Sequence, residues 1–256
     1  MKLKFGIFIS IFFNLSNVVL AFTQNEVLLQ AGTYAPFFRD VGEKDQSVGP
    51  LLVDRFPVTN NDFKSYLAQH REFVRSKIQA IFAGPTYLEH WQGDLDFKKS
   101  LGDQPVTNIS WFLARRYCES KGKRLMSIAE WEYAADSANP KNLDLILDWY
   151  SKSNDQLASV SKAKSNKFNI SGMHGLIWEW VEDFSSVLMS GDSRASNEAS
   201  GAMFCGSGSL KSKDPTEYAS FMRFAHRSSL KANSVGRSLG FRCARDVQSP
   251  RQMETK

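Results

Sequence analysis

The stretch that decides the fold runs from Gln104 to Ala135 and reads QPVTNISWFLARRYCESKGKRLMSIAEWEYAA. Within it, Ser110 is a typical N-cap, and the pattern predicts a helix over Trp111–Ser120. Gly122 is the residue expected to stop this helix. The tetrad Ser127-Ile128-Ala129-Glu130 has the spacing of a capping box and predicts the start of a second helix. This one stretch therefore predicts two consecutive helices, each started by a serine.

Weaker patterns lie on both sides of this stretch. Upstream, the apolar run Leu51–Phe56 resembles a strand, and Thr59 or Asn60 can cap a helix that follows it. Downstream, the sequence predicts a short helix and two short strands, at Leu143–Leu157, Trp178–Val181 and Leu239–Ala244. A few helices and several short strands between long loops predict an irregular α+β fold.

Composition excludes several classes of protein. Of the 256 residues, 42% are hydrophobic, 23% charged and 12% aromatic, which excludes disorder, collagen and coiled coil for the chain as a whole. The net charge of +5 is not concentrated in a basic stripe with interleaved aromatics. We therefore expect no nucleic-acid partner.

The N-terminus has the pattern of a secretory signal peptide over residues 1–21. A short basic start is followed by the apolar run Phe5–Leu20 and by the small-x-small cleavage signal Val19-Leu20-Ala21. The alternative is an uncleaved anchor, but the run is short and broken for a membrane span of about 20 residues. We expect a periplasmic or secreted protein without a membrane span after cleavage, with one domain over 25–246 and a polar tail over 247–256.

Export changes the interpretation of the cysteines. The chain has three, Cys118, Cys205 and Cys243. In an oxidising compartment two of them should pair and one should be left over. Their spacing alone leaves all three pairings open.

Four blocks in the right order resemble the formylglycine-generating enzyme (sulfatase-modifying factor) family. They are VDRFPVTNNDF at 53–63, the stretch at 104–135, MHGLIWEW at 173–180 and LGFRCA at 239–244. The resemblance implies a modified C-type-lectin-like fold with little regular secondary structure. It also implies a Cys118–Cys243 disulfide, which closes a long loop and contributes about 4–5 kcal/mol in the loop-entropy model.

The same resemblance implies copper chemistry, and here the sequence departs from the family. Active members oxidise a substrate cysteine to formylglycine with copper held by two thiolates, which suit Cu(I). The matching positions fall near Leu210 and within Lys213–Arg223, where this chain has no cysteine. We therefore expect neither the usual copper site nor standard formylglycine formation.

Cys205 and His226 are the remaining candidates for catalysis. Cys205 is a reactive thiol or a soft metal ligand assisted by His226, Met203 or Met222, or else a small buried hydrophobic residue. A lone histidine such as His226 or His174 is more often a surface or core residue than a ligand.

Calcium is the other cofactor that the resemblance implies. Gly175 and Glu179 are the oxygen ligands retained from the family's calcium motif, and Asp183 is a nearby acid that compensates for those lost. The alternative for Glu179 is a surface carboxylate or an ion pair with Arg242.

The resemblance also places Trp178 and Ser207 in a groove that accepts an extended polypeptide. The alternative for Trp178 is a core aromatic. Five arginines near the C-terminus either face an acidic partner or form structural pairs on a mixed surface; they are Arg223, Arg227, Arg237, Arg242 and Arg245.

Three functions follow. The first is an accessory or maturation factor that binds another exported protein, with a periplasmic copper enzyme as one possible client. The second is an oxidoreductase that modifies a protein or small molecule through Cys205 or a non-standard metal site. The third, a lectin-like module, would need exposed acidic or Asn clusters around calcium, which the sequence lacks.

Overall fold

The fold is built around a three-stranded antiparallel sheet that joins the two ends of the domain. In this computed structural model, which describes residues 25–36, 44–151, 157–185 and 215–247, β4 (Leu51–Asp54) lies between β1 (Glu26–Leu29) and β7 (Ala244–Asp246). Leu51 pairs with both Leu29 and Asp246, so the first and last strands share one central partner. The first and last strands of the domain are therefore held together through β4.

Two further sheets are small. Strands β2 (Gly32–Tyr34) and β3 (Gln46–Val48) form an antiparallel pair, whereas β5 (Trp178–Glu179) and β6 (Leu239–Gly240) are parallel. The strands predicted at Trp178–Val181 and Leu239–Ala244 are thus shorter than expected. The second is divided, because Phe241 and Cys243 turn their carbonyls to the backbone amides of Val58 and Asp54.

Helices α1 (Asn60–Gln69), α2 (Trp111–Ser120) and α3 (Ile128–Ala134) begin at the predicted caps. The Thr59 and Ser127 side chains each complete a capping box, and Ser110 accepts from the backbone amide of Leu113. Gly122 has a φ of +66°, and the amides after α2 return to its last carbonyls, so the predicted glycine stop is confirmed.

Two more helices lie against each other beside β5. They are α4 (Leu143–Ser151) and α5 (Pro215–Ser228), and the helix predicted within Leu143–Leu157 corresponds to α4. Single turns of 3-10 helix occur at Arg71–Phe73, Lys99–Leu101, Pro140–Asn142 and Val160–Lys162. Within the described ranges, no helix has both the length and the apolar character that crossing a membrane requires.

A disulfide ties the helical side of the core to the sheet. Cys118 on α2 is bonded to Cys243, directly before β7, across a sequence separation of 125. Both are buried among aromatic rings, including Phe63 of α1 and the edge-to-face pair Tyr117–Phe241. The pairing implied by the family resemblance is confirmed. Residues 1–24 and 248–256, and with them the predicted signal peptide and most of the tail, lie outside the described residues.

Candidate functional site

Trp178 of β5 is the centre of an aromatic cluster that also draws on α4 and α5. Its indole stacks on the imidazole of His226 at a centroid distance of 4.2 Å and on the ring of Tyr150 at 5.2 Å. Trp149 contacts the same indole at 4.7 Å. The residue that the sequence predicts to be a groove residue is therefore partly buried beneath two helices.

His226 is neutral at physiological pH. Burial, and secondarily the charge of Arg227, lower its pKa to about 4. Its Nε2 is buried without a hydrogen-bond partner. The predicted candidate thus lies against the predicted groove residue, with an uncommitted ring nitrogen.

A buried ion triad holds α5 against α3. Glu132 is paired with Arg223, whose Nη2 lies 3.0 Å away, and with Arg227, whose Nη1 lies 2.6 Å away. Burial alone would raise the pKa of Glu132, but the two guanidinium groups outweigh it and hold that pKa well below its usual value. The triad carries one net positive charge.

The triad and the aromatic cluster share a surplus of hydrogen-bond donors. Arg223 Nη1 and Trp149 Nε1 are buried donors without an acceptor, and His226 Nε2 is a buried ring nitrogen without a partner. The Tyr150 hydroxyl, a neighbour of Arg223, donates to the carbonyl of Ala219 at 3.3 Å. Unsatisfied buried polar groups are costly, and three of the seven such side-chain atoms among the described residues lie in this region.

The Glu179 carboxylate lies in a second buried ion pair. Both of its oxygens accept from the guanidinium of Arg242 at 2.7–3.0 Å, and Oε2 also accepts from Trp131 Nε1 at 2.8 Å. The ion-pair alternative for Glu179 is therefore the observed arrangement. While this pair persists the carboxylate has no free oxygen for calcium, and a site at Gly175 and Glu179 stays a prediction. Asp183 accepts from the backbone amide of Ile128 at 2.7 Å.

The arginines predicted to form structural pairs do so. Besides the three buried ones, Arg245 pairs with Glu26 and the exposed Arg237 with Glu89. Sequence reasoning missed that Arg223 and Arg227, four residues apart on one helix, share a single buried carboxylate.

The residues present do not fit the family's copper site. Cys118 and Cys243 are joined in the disulfide, which leaves Cys205 as the one remaining cysteine of the sequence. Cys205 and Ser207 lie outside the described residues, as does Met203, and Met222 lies on α5. Across 25–36, 44–151, 157–185 and 215–247, no group of three or more His, Cys, Asp or Glu is placed to hold a metal ion.

Comparison with known proteins agrees with the sequence blocks. The profile of the sulfatase-modifying factor enzyme 1-like domain matches residues 20–247, so the chain belongs to this family, and its mixed, irregular architecture is the family's modified C-type-lectin-like fold.

The similar proteins include one named as a formylglycine-generating enzyme and one named as inactive. The chain is 26% identical to the formylglycine-generating enzyme of Mus musculus, over 84% of this chain and 72% of the relative. It is 24% identical to the inactive C-alpha-formylglycine-generating enzyme 2 of Mus musculus, over 86% of this chain and 84% of the relative. PvdO from Pseudomonas aeruginosa aligns in structure with a TM-score of 0.46 and 19% identity, over 87% of this chain and 94% of PvdO.

Proposed function

We propose that this protein is an exported accessory or maturation factor that binds another protein, and that it does not form formylglycine. The observation that carries the proposal is the number of available thiols. Two of the three cysteines form the disulfide, and a two-thiolate copper site cannot be built from the one that remains.

Two further observations support a binding role. A relative named as an inactive formylglycine-generating enzyme matches over most of both chains, so the fold occurs without the activity. The second is the Trp178 cluster, where the partly buried Trp178 and buried donors without acceptors lie in the region that the resemblance assigns to an extended polypeptide. The signal-peptide pattern supports a client outside the cytoplasm, and a copper enzyme is one candidate.

The decisive experiment incubates the purified protein with copper, oxygen and a sulfatase peptide that contains the substrate cysteine. Mass spectrometry should detect no aldehyde, while an active formylglycine-generating enzyme in parallel should convert the peptide. Conversion by this protein would overturn the proposal.

A second experiment tests client binding. The protein is crosslinked in periplasmic extract at low salt, and the captured polypeptides are compared with those of Trp178→Ala. We expect one or a few partners to be lost from this variant but retained by Ile81→Ala, which removes an exposed apolar side chain elsewhere. Capture that is indifferent to Trp178 would contradict a role for the groove.

The oxidoreductase alternative is favoured by one observation, the unpartnered neutral imidazole of His226 beside Trp178. A neutral imidazole is a common metal ligand. If this alternative holds, copper binding measured by calorimetry should weaken in both Cys205→Ser and His226→Gln. Binding that is absent, or equal in all three proteins, would exclude it.

A further inference from the structure

A cavity of about 200 Å³ lies between the start of α4 and the loop at 163–174. Its lining includes Lys141, Asn142, Leu145, Lys164, Met173 and His174. None of the aromatic residues around Trp178 contributes to this lining. The cavity exceeds the roughly 150 Å³ that accommodates a benzene-sized ligand, and it is smaller than a typical drug-sized pocket.

The loop wall of the cavity is fixed by its own hydrogen bonds. The Asn166 amide donates to the carbonyl of Ala134 at 2.6 Å and accepts from the backbone amides of Phe168 and Ile170. The hydroxyls of Ser165 and Ser171 bond to each other at 2.7 Å across the base of the loop. These polar groups are committed to the fold, so the wall is preformed.

The charge of the lining is positive. Lys141 and Lys164 line the cavity together with no Asp or Glu, and neither lysine forms an ion pair among the described residues. The nearby Asp136 is already paired with Lys167 at 2.6 Å. Two unpaired ammonium groups favour an anion and oppose a divalent cation.

His174 adds a hydrogen-bond acceptor. Its Nε2 lies 3.1 Å from the carbonyl oxygen of Ala135. A carbonyl only accepts, so Nε2 carries the proton and Nδ1 carries a lone pair. Burial, and secondarily Arg223, lower the pKa of His174 to about 4, which keeps this lone pair available at neutral pH.

From this combination we infer that the cavity binds a small carboxylate. The two ammonium groups of Lys141 and Lys164 would hold the carboxylate, Leu145 and Met173 would contact a short apolar segment, and His174 would accept from a hydroxyl or amide N–H of the ligand. The carboxylate comes either from a free organic acid or from an acidic side chain of a polypeptide. The inference does not depend on the proposed accessory role.

The test follows the Met173 methyl signal by NMR in protein labelled at its methionine methyl groups, with the signal assigned through Met173→Leu. The probes are 3-hydroxybutyrate as a free acid, acetyl-Gly-Glu-Gly-amide as a polypeptide source, and calcium chloride. We expect a saturable shift with at least one carboxylate. Tighter binding of one of the two would identify the source.

Matched variants separate a built site from general attraction. The double variant Lys141→Gln, Lys164→Gln should weaken binding at least about tenfold, because it removes two hydrogen bonds to a charged group. Lys162→Gln makes the same charge change at an exposed lysine outside the lining and should leave affinity unchanged. The inference is overturned if neither carboxylate shifts Met173, if the double variant binds like wild type, or if calcium alone produces the shift.

Discussion

Two buried arginine sites in this molecule are built on opposite plans. Arg242 uses every edge of its guanidinium, bonding to Glu179 and to the carbonyls of Asp54, Arg55 and Ser171. In the triad of α3 and α5, two arginines share the single carboxylate of Glu132, and Arg223 Nη1 has no acceptor.

Under the proposed binding role, the first site holds the fold and the second keeps buried donors that a bound client would satisfy. The first site joins β5 and the segment before β7 to the loops around them, in a core that the disulfide closes. The second lies beside Trp178, where the family resemblance expects a polypeptide. A fully satisfied site fixes one structure, whereas unsatisfied donors are retained at a cost that binding can offset.

The largest test of this comparison removes the disulfide. We expect the double variant Cys118→Ala, Cys243→Ala to lose about 4–5 kcal/mol of unfolding free energy, because the crosslink closes a loop with a sequence separation of 125. Urea denaturation of the oxidised protein and the variant measures the difference. Wild type under reductant serves as the control and should match the variant. Equal stability of oxidised wild type and variant would contradict a central role for the crosslinked core.

The second test breaks the satisfied arginine site. Arg242→Met leaves the buried Glu179 carboxylate without its cation and should cost about 3–5 kcal/mol of unfolding free energy. The double variant Arg242→Met, Glu179→Met is the control, since it removes both charges and should recover much of the loss. A loss that persists in full in the double variant would show that the charge pair is not what matters here, and would point to packing or to the carbonyls and the Trp131 Nε1 donor that lose their partners.

The third test makes the same substitution in the triad. Arg223→Met should cost only about 1–3 kcal/mol, because Glu132 keeps Arg227 and the unsatisfied Nη1 donor is removed. Denaturation at neutral pH measures the change beside Arg242→Met. An equal or larger loss for Arg223→Met would remove the distinction between the two sites.

The sequence predicts interactions between residues that are close along the chain, and it does not predict those between residues that are far apart. The starts of α1, α2 and α3 follow from Thr59, Ser110 and Ser127, because each cap bonds to an amide three residues ahead. The arginine sites are long-range: Arg223 and Glu132 are 91 positions apart.

Neither α5 nor the burial of its two arginines was predicted from the sequence. Its start has a capping pattern that the prediction did not use: Asp214 precedes Pro215 at the first helical position, and Glu217 lies three residues after Asp214. Two arginines on a helix are expected to face solvent until a buried carboxylate is known to lie opposite. The disulfide was open to prediction only through the family resemblance, since spacing left three pairings. The aromatic cluster around Trp178 likewise depends on where α4 and α5 pack, which no local pattern specifies.

The last test is a pH dependence of stability, which compares His226 of the Trp178 cluster with His90, a partly buried histidine elsewhere in the domain. Burial lowers the pKa of both His226 and His90 to about 4, from an ordinary value of about 6.5. The unfolded chain therefore binds more protons between these values, and stability falls as the pH drops from about 6.5 to 4, by up to about 1.4 kcal/mol per pH unit for each histidine. His226→Gln and His90→Gln should each make this slope shallower in denaturation series from about pH 6.5 to 4.

At neutral pH, His90→Gln should cost more unfolding free energy, because His90 bridges the amides of Asn60 and Asn108 whereas His226 Nε2 bonds to nothing. An unchanged slope in His226→Gln would mean that its imidazole is not held neutral beside Trp178, and that the Trp178 cluster resembles the rest of the core.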